Sequence, residues 1–115
     1  MRVYIAGPMS GYQKFNRPAF NSMESIQQQC GNVVLNPALL PDGLTQAQYM
    51  DICCAMIRCA DAVVMLKGWE KSSGAFAEHA LAKKLGLEII YQFPVESINA
   101  NRDDQDRRGS IRSGV

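Results

Sequence analysis

The residues of this chain that could do chemistry stand close together in the second half of the sequence. The small residues Ser72-Ser73-Gly74-Ala75 join an apolar stretch that predicts a strand to a stretch that predicts a helix. The first N–H groups of a helix have no partner inside it and lie at the positive end of its dipole, so they favour an anionic ligand. Glu78 follows one turn inside the helix. The pattern therefore predicts an anion-binding turn with a carboxylate beside it.

Glu78 and the nearby Trp69 could each have a structural role instead of a role in ligand binding. Glu78 could cap its helix, but a capping box needs Ser or Thr three residues earlier, and that position is Ala75. It could also lie on a solvated face, since Lys83 and Lys84 belong to the same helix. Trp69 could stack on the base of a ligand or could simply cover the loop. The sequence leaves these alternatives open.

The elements that must position these residues follow from the spacing of apolar residues. Strands are predicted at residues 2–6, 32–35, 61–66 and 87–91, and helices at 18–29, from 46 onward after the cap Thr45, and at 74–85. Strands that alternate with helices of this length predict a mostly parallel sheet covered on both faces. We expect a single-domain α/β fold, a Rossmann-like or flavodoxin-like three-layer sandwich with four or five strands. The predicted helix core positions are Phe20, Met23, Ile26, Tyr49, Ile52, Met56 and Ile57.

Ligands of such sheets bind beyond the carboxyl ends of the strands. The loop after the first strand, which contains Gly7, Pro8 and Ser10, emerges at that edge, as does the turn at Ser72. We therefore expect these loop residues to contact the same ligand. Tyr4, near the end of the first strand, is expected to point into the cleft, with a core tyrosine and an ordinary turn as the alternatives.

Composition excludes several classes of protein. The 115 residues suffice for one domain, and a net charge of +1 gives no long-range attraction to nucleic acid or anionic membrane. No segment approaches the roughly 20 apolar residues that cross a bilayer, and no signal region precedes the first strand, so we expect a cytoplasmic protein. The sequence contains neither GxGxxG nor a P-loop motif.

The four cysteines predict neither disulfides nor metal. Cys53 and Cys54 are adjacent, no CxxC pair occurs, and His79 is the only histidine. Reduced, mostly buried thiols are expected, with no metal site. The composition becomes polar near residue 97, which predicts an α/β domain at 1–96 and a mobile tail at 97–115.

Residues 4–11, 61–64 and 72–78, together with Ala82, resemble the nucleoside 2-deoxyribosyltransferase superfamily, which includes the deoxynucleoside 5′-monophosphate N-glycosidases. The closest likeness is to small uncharacterised phage and prophage proteins of the DUF4406 type. In those proteins a Leu-x-Gly-Trp-x-x-Ser-x-Gly-Ala-x-x-Glu stretch recurs, which here runs from residue 66 to 78. The resemblance spans roughly residues 2 to 92.

This resemblance implies an enzyme that cleaves the N-glycosidic bond of a small (deoxy)nucleotide. Glu78 matches the nucleophile, which forms a covalent glycosyl-enzyme, and Tyr4 matches the tyrosine that orients it. Ser72 lies where the monophosphate hydrolases have a serine that contacts phosphate, with Ser73 and Gly74 beside it. The reaction requires no metal or organic cofactor. A neighbouring subunit often completes a site this shallow, so a homo-oligomer, a dimer or larger, is expected.

One position departs from the family pattern. The family carries an aspartate on the preceding helix that helps to protonate the departing base, and that position is Cys53 here. The nearest carboxylate is Asp51, roughly 200° around the helix. A local shift could let Asp51 serve as the acid. Otherwise the acid is missing, which favours the alternative: a phage protein that binds a nucleotide or a nucleotide signal without cleaving it.

Overall fold

The computed structural model of the protein describes residues 1–93, and the predicted tail at 97–115 lies outside the described residues. The strands are β1 Arg2–Ala6, β2 Val33–Leu35, β3 Ala62–Met65 and β4 Glu88–Tyr91, and the helices are α1 Arg17–Gln29, α2 Gln46–Arg58 and α3 Ser73–Lys84. Every predicted strand and helix is present, and the ends differ from the prediction by one residue at most. The division at residue 96 stays a prediction.

The four strands form one sheet in the order β2-β1-β3-β4, and every pairing is parallel. In register, Val3 of β1 lies beside Val34 of β2 and Ala62 of β3. Helices cover both faces of this sheet. The predicted three-layer α/β fold with a parallel four-stranded sheet is thereby confirmed.

The alternation of side chains along each strand separates the core into two halves. Tyr4 and Met65 belong to the half that includes residues of α2 and α3. Ile5 and Val64 belong to the half that includes Phe20 of α1. Because β3 lies between β1 and β4 in a sheet that is covered on both faces, it is buried along its whole length.

Two predicted core positions are wrong. Ile26 is 50% exposed and Ile52 is 37% exposed, whereas Phe20 and Met23 of α1 are buried. Strand β2, which packs with α1, has only three residues and is itself partly exposed, so it offers little surface to the later turns of the helix. Helical spacing identifies a face, but the extent of the sheet decides how much of that face is covered.

The strand order reverses between β1 and β3. The connection through α1 leads from β1 to β2 on one side, and the connection through α2 leads to β3 on the other. At such a reversal the two loops that leave the sheet separate and open a crevice beyond the carboxyl ends of the strands. The fold therefore places its crevice beside the loop after β1 and the turn that begins α3.

The cysteines and the helices allow two further statements about residues 1–93. All four cysteines are free, and Cys30 and Cys59 are exposed, so the expectation of mostly buried thiols is wrong. No cluster of three or more potential metal ligands occurs in the described part of the chain. In the same part, every helix is too short or too polar to cross a membrane.

Candidate active site

The centre of the crevice is a hydrogen bond between a strand and a helix. The hydroxyl of Tyr4 donates to Oε2 of Glu78 at 2.9 Å, and both side chains are buried. Glu78 shares its helix face with Ala75 and Ala82, which are one turn away on either side and are also buried. Because these neighbours are small, a carboxylate fits between α3 and the sheet.

Burial controls the protonation of this cluster. It raises the pKa of Glu78 from 4.5 to about 7, while the Tyr4 hydroxyl and the Cys53 thiol act in the opposite direction by hydrogen bonding to the carboxylate. Burial, and then the Glu78 carboxylate, raises the pKa of Tyr4 well above its usual value. Burial raises the pKa of Cys53 to about 11. At neutral pH the phenol and the thiol are therefore protonated, and Glu78 is divided between its two forms.

A cavity of about 680 Å³ opens from this cluster. It lies between the loop after β1, the chain from residue 37 to 44, helix α2 and the beginning of α3. The structure brings together in its lining most of the residues that the sequence selects: Tyr4, Gly7, Pro8, Ser10, Ser72, Ser73, Gly74 and Glu78.

The N-terminus of α3 faces this cavity. Ser72 caps the helix, since its Oγ accepts a hydrogen bond from the N–H of Ala75 at 3.2 Å. The N–H groups of Ser73 and Gly74 have no acceptor within residues 1–93. Lys71 also lines the cavity and adds a positive charge. This end of the cavity can bind an anion through two backbone donors, a hydroxyl group and an ammonium group.

Gly7 and Gly74 differ in what they do. A Cβ on Gly7 would lie 2.8 Å from Cβ of Leu66, so the close packing of the two strand ends requires a glycine there. A Cβ on Gly74 would meet no atom within 4 Å. Packing therefore explains the glycine at position 7 independently of the expected ligand contact, whereas Gly74 borders open space.

The loop after β1 has an unusual backbone that the sequence does not predict. Lys14, Phe15 and Asn16 are consecutive and all have positive φ, at 54°, 52° and 61°. Left-handed backbone costs a non-glycine residue about 1 to 2 kcal/mol. The side-chain amide of Asn16 donates to the carbonyl of Pro8 at 2.9 Å and helps to hold this conformation. The result places Phe15 and Tyr12 in the cavity lining.

Sequence reasoning also missed an ion pair at the rim of the cavity. Nη2 of Arg17 donates to Oδ1 of Asp42 at 2.6 Å, and its Nε donates to the carbonyl of Ala38 at 3.3 Å. Both charged residues line the cavity. The available signals were weak: Arg17 precedes the proline that opens α1, and Asp42 stands in a Pro-Asp-Gly turn.

Trp69 does not line this cavity, so the expectation that it contacts a ligand there is corrected. It lies in a short 3-10 turn before α3 and is buried. Its ring packs on His79 at a centroid distance of 4.1 Å and on Phe76 at 6.0 Å. These residues occupy a different face of α3 from Glu78, because positions 76 and 79 lie about 200° and 100° around the helix from position 78. Trp69 therefore covers the loop.

Asp51 is also separated from the site. It is exposed and absent from the cavity lining, whereas Cys53 is buried and contributes to that lining. Helix α2 runs without interruption from Gln46 to Arg58 after a capping box at Thr45, so no local shift rotates Asp51 inward. The expectation that Asp51 belongs to the site is corrected, and the residue of this part of α2 that lines the cavity is Cys53.

The fold and the crevice define an α/β protein in which Glu78, the buried carboxylate of residues 1–93, lies in a cavity beside the N-terminus of a helix. The chain belongs to the family described as Domain of unknown function (DUF4406), whose model matches residues 1–91. Among solved structures, a 2-desoxiribosyltransferase from Leishmania mexicana is similar, with a TM-score of 0.64 and 21% sequence identity. The match covers 78% of this chain and 62% of that chain.

These comparisons confirm the predicted family and the deoxyribosyltransferase-like fold. At 21% identity the similarity concerns the fold alone, and this chain spans less than two thirds of the length of the Leishmania protein. No curated protein matches the sequence.

Proposed function

We propose that this protein cleaves the N-glycosidic bond of a small nucleotide, as a hydrolase or a transferase, with Glu78 as the nucleophile. The observation that carries the proposal is the buried hydrogen bond from Tyr4 to Glu78 in the crevice, next to the beginning of α3. A carboxylate at this place can attack a sugar, and a helix N-terminus beside it can hold the phosphate of the same molecule.

The reaction has two steps. The Glu78 carboxylate attacks C1′ of the sugar, the C1′–N bond breaks, and a glycosyl ester forms. Water, or a second base, then attacks C1′ and releases the carboxylate. Because Oε2 already accepts the Tyr4 hydrogen bond, Oε1 is the oxygen that attacks. Tyr4 orients the carboxylate and stabilises its charged form.

Substrate binding divides between the two ends of the cavity. The phosphate binds to Ser72, Ser73 and Gly74 at the beginning of α3, with Lys71 nearby. The base lies toward the aromatic residues of the lining, which include Tyr12 and Phe15. Both rings are about half exposed, so they are accessible to a ligand.

We also propose that the α/β domain extends to residue 96. We further propose that the protein assembles into a homo-oligomer. The cavity is wide, and its exposed aromatic rim is the part that a neighbouring subunit would cover. Light scattering at micromolar concentration tests the assembly, and a monomer at all concentrations contradicts it.

A second candidate function is nucleotide binding without cleavage. The observation that favours it is the thiol of Cys53, which occupies the place where an acid would protonate a departing base, while Asp51 is exposed. Under this alternative the crevice holds an intact nucleotide.

Release of a free base distinguishes the two functions. The protein is incubated with 5′-monophosphates that carry common and modified bases, and the products are separated by chromatography. We expect release that falls by about 10⁴-fold or more in Glu78→Gln, comparable with the loss of other enzymatic nucleophiles. Asp61→Asn is the matched control, since Asp61 is ion-paired with Arg2 and does not line the cavity.

The contrary outcomes are also defined. Base release that survives in Glu78→Gln contradicts the proposed nucleophile. A nucleotide that raises the melting temperature but stays intact supports the binding function instead. Neither release nor stabilisation by any nucleotide contradicts both candidates.

A further inference from the structure

Few groups in the cavity lining could donate a proton to a departing base. When a neutral base leaves a sugar, the electron pair of the broken C1′–N bond stays on the base, which then needs a proton. A general acid that supplies the proton typically contributes about 10² to 10⁴ in rate. Within residues 1–93, Glu78 and Asp42 are the carboxyl groups that line the cavity. Glu78 cannot supply the proton while it attacks the sugar.

Asp42 is poorly suited to the task. It accepts the hydrogen bond from Arg17 at 2.6 Å, and its side chain is 73% exposed at the rim. Protonation of this carboxylate would abolish its ion pair with the guanidinium group. Its place at the rim also separates it from the buried Tyr4–Glu78 hydrogen bond.

The two other acidic protons near Glu78 are held firmly. Burial raises the pKa of the Cys53 thiol to about 11, and burial also raises the pKa of Tyr4. Transfer of either proton to a base would leave a thiolate or a phenolate buried in the site. Burial disfavours each of these anions, as the raised pKa values of both groups indicate. Lys71, the ammonium group of the lining, is assigned above to the phosphate, so the site has a nucleophile but no efficient proton donor for the base.

We propose that the substrates of this site are nucleotides whose leaving group already carries a positive charge, such as a pyridinium or an N7-alkylated purine. This inference rests on the proposed function and specifies its substrate class. Glu78 attacks C1′, the C1′–N bond breaks, and its electron pair neutralises the cationic ring, which leaves without a proton. Water then displaces the ester and releases one proton to solvent.

The environment of Glu78 is consistent with a cationic partner. Its carboxylate is buried with neutral hydrogen-bond donors, so a positive charge on the sugar's substituent would favour the ionised, nucleophilic form. The lining offers aromatic faces that attract cations. The Phe15 ring already has a cationic partner, since the guanidinium carbon of Arg17 lies 5.2 Å from its centre, so the ring of Tyr12 is the one to which we assign the cationic base.

A matched pair of substrates tests this inference. Guanosine 5′-monophosphate and 7-methylguanosine 5′-monophosphate share the sugar and the phosphate and differ by one methyl group that makes the base cationic. Each rate of base release is divided by the rate without enzyme, and the 2′-deoxy forms are run in parallel. We expect the enhancement to be at least about 10²-fold larger for the methylated nucleotide, the smaller contribution of a general acid. Nicotinamide mononucleotide, a pyridinium nucleotide, should behave like the methylated substrate.

A pair of variants adds a second measurement. Cys53→Asp places a carboxyl group where the thiol stands, so it should raise the enhancement for guanosine 5′-monophosphate relative to its methylated form. Cys53→Ser, which adds no acid, should leave the ratio unchanged.

Two failures are distinguishable. Equal enhancement of both nucleotides, with release that depends on Glu78, overturns the substrate class and leaves the glycosidase function in place. No release from any of these substrates, although they bind, overturns the glycosidase function and this inference with it.

Discussion

The carboxylates of Asp61 and Glu78 lie at opposite edges of the sheet and differ in burial and in hydrogen-bond partners. Asp61 precedes β3 at the amino edge of the sheet. Its carboxylate accepts hydrogen bonds from Nε and Nη2 of Arg2 at 3.2 and 3.0 Å, and a third from the backbone N–H of Arg2 at 2.8 Å. These contacts with Arg2 lower the pKa of Asp61 to about 2. Glu78 at the carboxyl edge is buried, its hydrogen-bond donors are neutral, and its pKa is raised to about 7.

Under the proposed function, this difference separates a carboxylate with a structural role, Asp61, from one with a catalytic role, Glu78. Asp61 is stabilised in its charged form by a partner that joins β1 to the beginning of β3. Ionisation of Glu78 costs free energy because the side chain is buried. Such a cost is common at residues that bind or react with a ligand. The following predictions test whether the two carboxylates differ in this way.

The largest effect in this comparison is on the pH dependence of base release. The nucleophile is the ionised form of Glu78, so kcat/KM should rise with pH and level off above about 7, near the pKa of the free protein. Between pH 5 and pH 7 the rise is about 50-fold, since the ionised fraction of Glu78 increases from about 1% to about one half. Initial rates across this range measure it.

Asp61→Asn should show the same profile as the wild type, because Asp61 is fully ionised throughout this range. A profile that is flat between pH 5 and pH 7 contradicts the raised pKa of Glu78.

The next effect is on stability. The pKa of Glu78 is raised on folding, so its contribution to the free energy of unfolding is greatest below about pH 4.5 and is lost as the pH rises to about 7. Glu78→Gln removes this loss and keeps an acceptor for Tyr4. At pH 8 the variant should be more stable than the wild type by up to about 3 kcal/mol, the equivalent of the full pKa shift. Urea unfolding at pH 4.5 and pH 8 measures the difference.

Asp61→Asn should act with the opposite sign. The lowered pKa of Asp61 gives a contribution that is present above about pH 4 and is lost as the pH falls toward 2, so the variant is less stable at neutral pH. If Glu78→Gln is also destabilised at pH 8, the two carboxylates do not differ as described.

A smaller effect is expected from the hydroxyl of Tyr4. Its hydrogen bond favours the ionised form of Glu78, so Tyr4→Phe should raise the pKa of Glu78 further. We expect the midpoint of the kcat/KM profile to move upward by about one pH unit, so that the ionised fraction of Glu78, and with it the rate at pH 7, falls about fivefold. Tyr91→Phe is the control, because Tyr91 bonds to His79 outside the cavity lining. An unchanged midpoint in Tyr4→Phe contradicts the role of this hydrogen bond.

The local structure, and the edge of the sheet at which the site lies, can be predicted from the sequence. The strands, the helices, the cap at Thr45 and the parallel sheet all follow from spacing and small-residue turns, which are local signals. The hydrogen bond between Tyr4 and Glu78, 74 residues apart, agrees with the family resemblance, whereas topology alone predicts that the two loops converge at one edge of the sheet.

Contacts that depend on tertiary packing could not be predicted. The sequence leaves open whether Trp69 stacks on a ligand or covers the loop, and the packing of its ring on His79 decides between these alternatives. The positive φ angles at residues 14–16 leave no signature such as glycine in the sequence, so the rings of Tyr12 and Phe15 were missed. The pairing of Arg17 with Asp42 joins a helix start to a distant turn and has no local signal.

The stereochemistry of the product tests the central claim most directly. Base release is run in buffer that contains methanol, and the methyl glycoside, which unlike the free sugar keeps its anomeric configuration in solution, is identified by proton NMR. A Glu78 nucleophile inverts C1′ twice, so a β-nucleotide should yield the β-methyl glycoside, with retained configuration. The α-methyl glycoside would show that the acceptor attacks the nucleotide directly, with Glu78 acting as a base, and would contradict the covalent role assigned to this carboxylate.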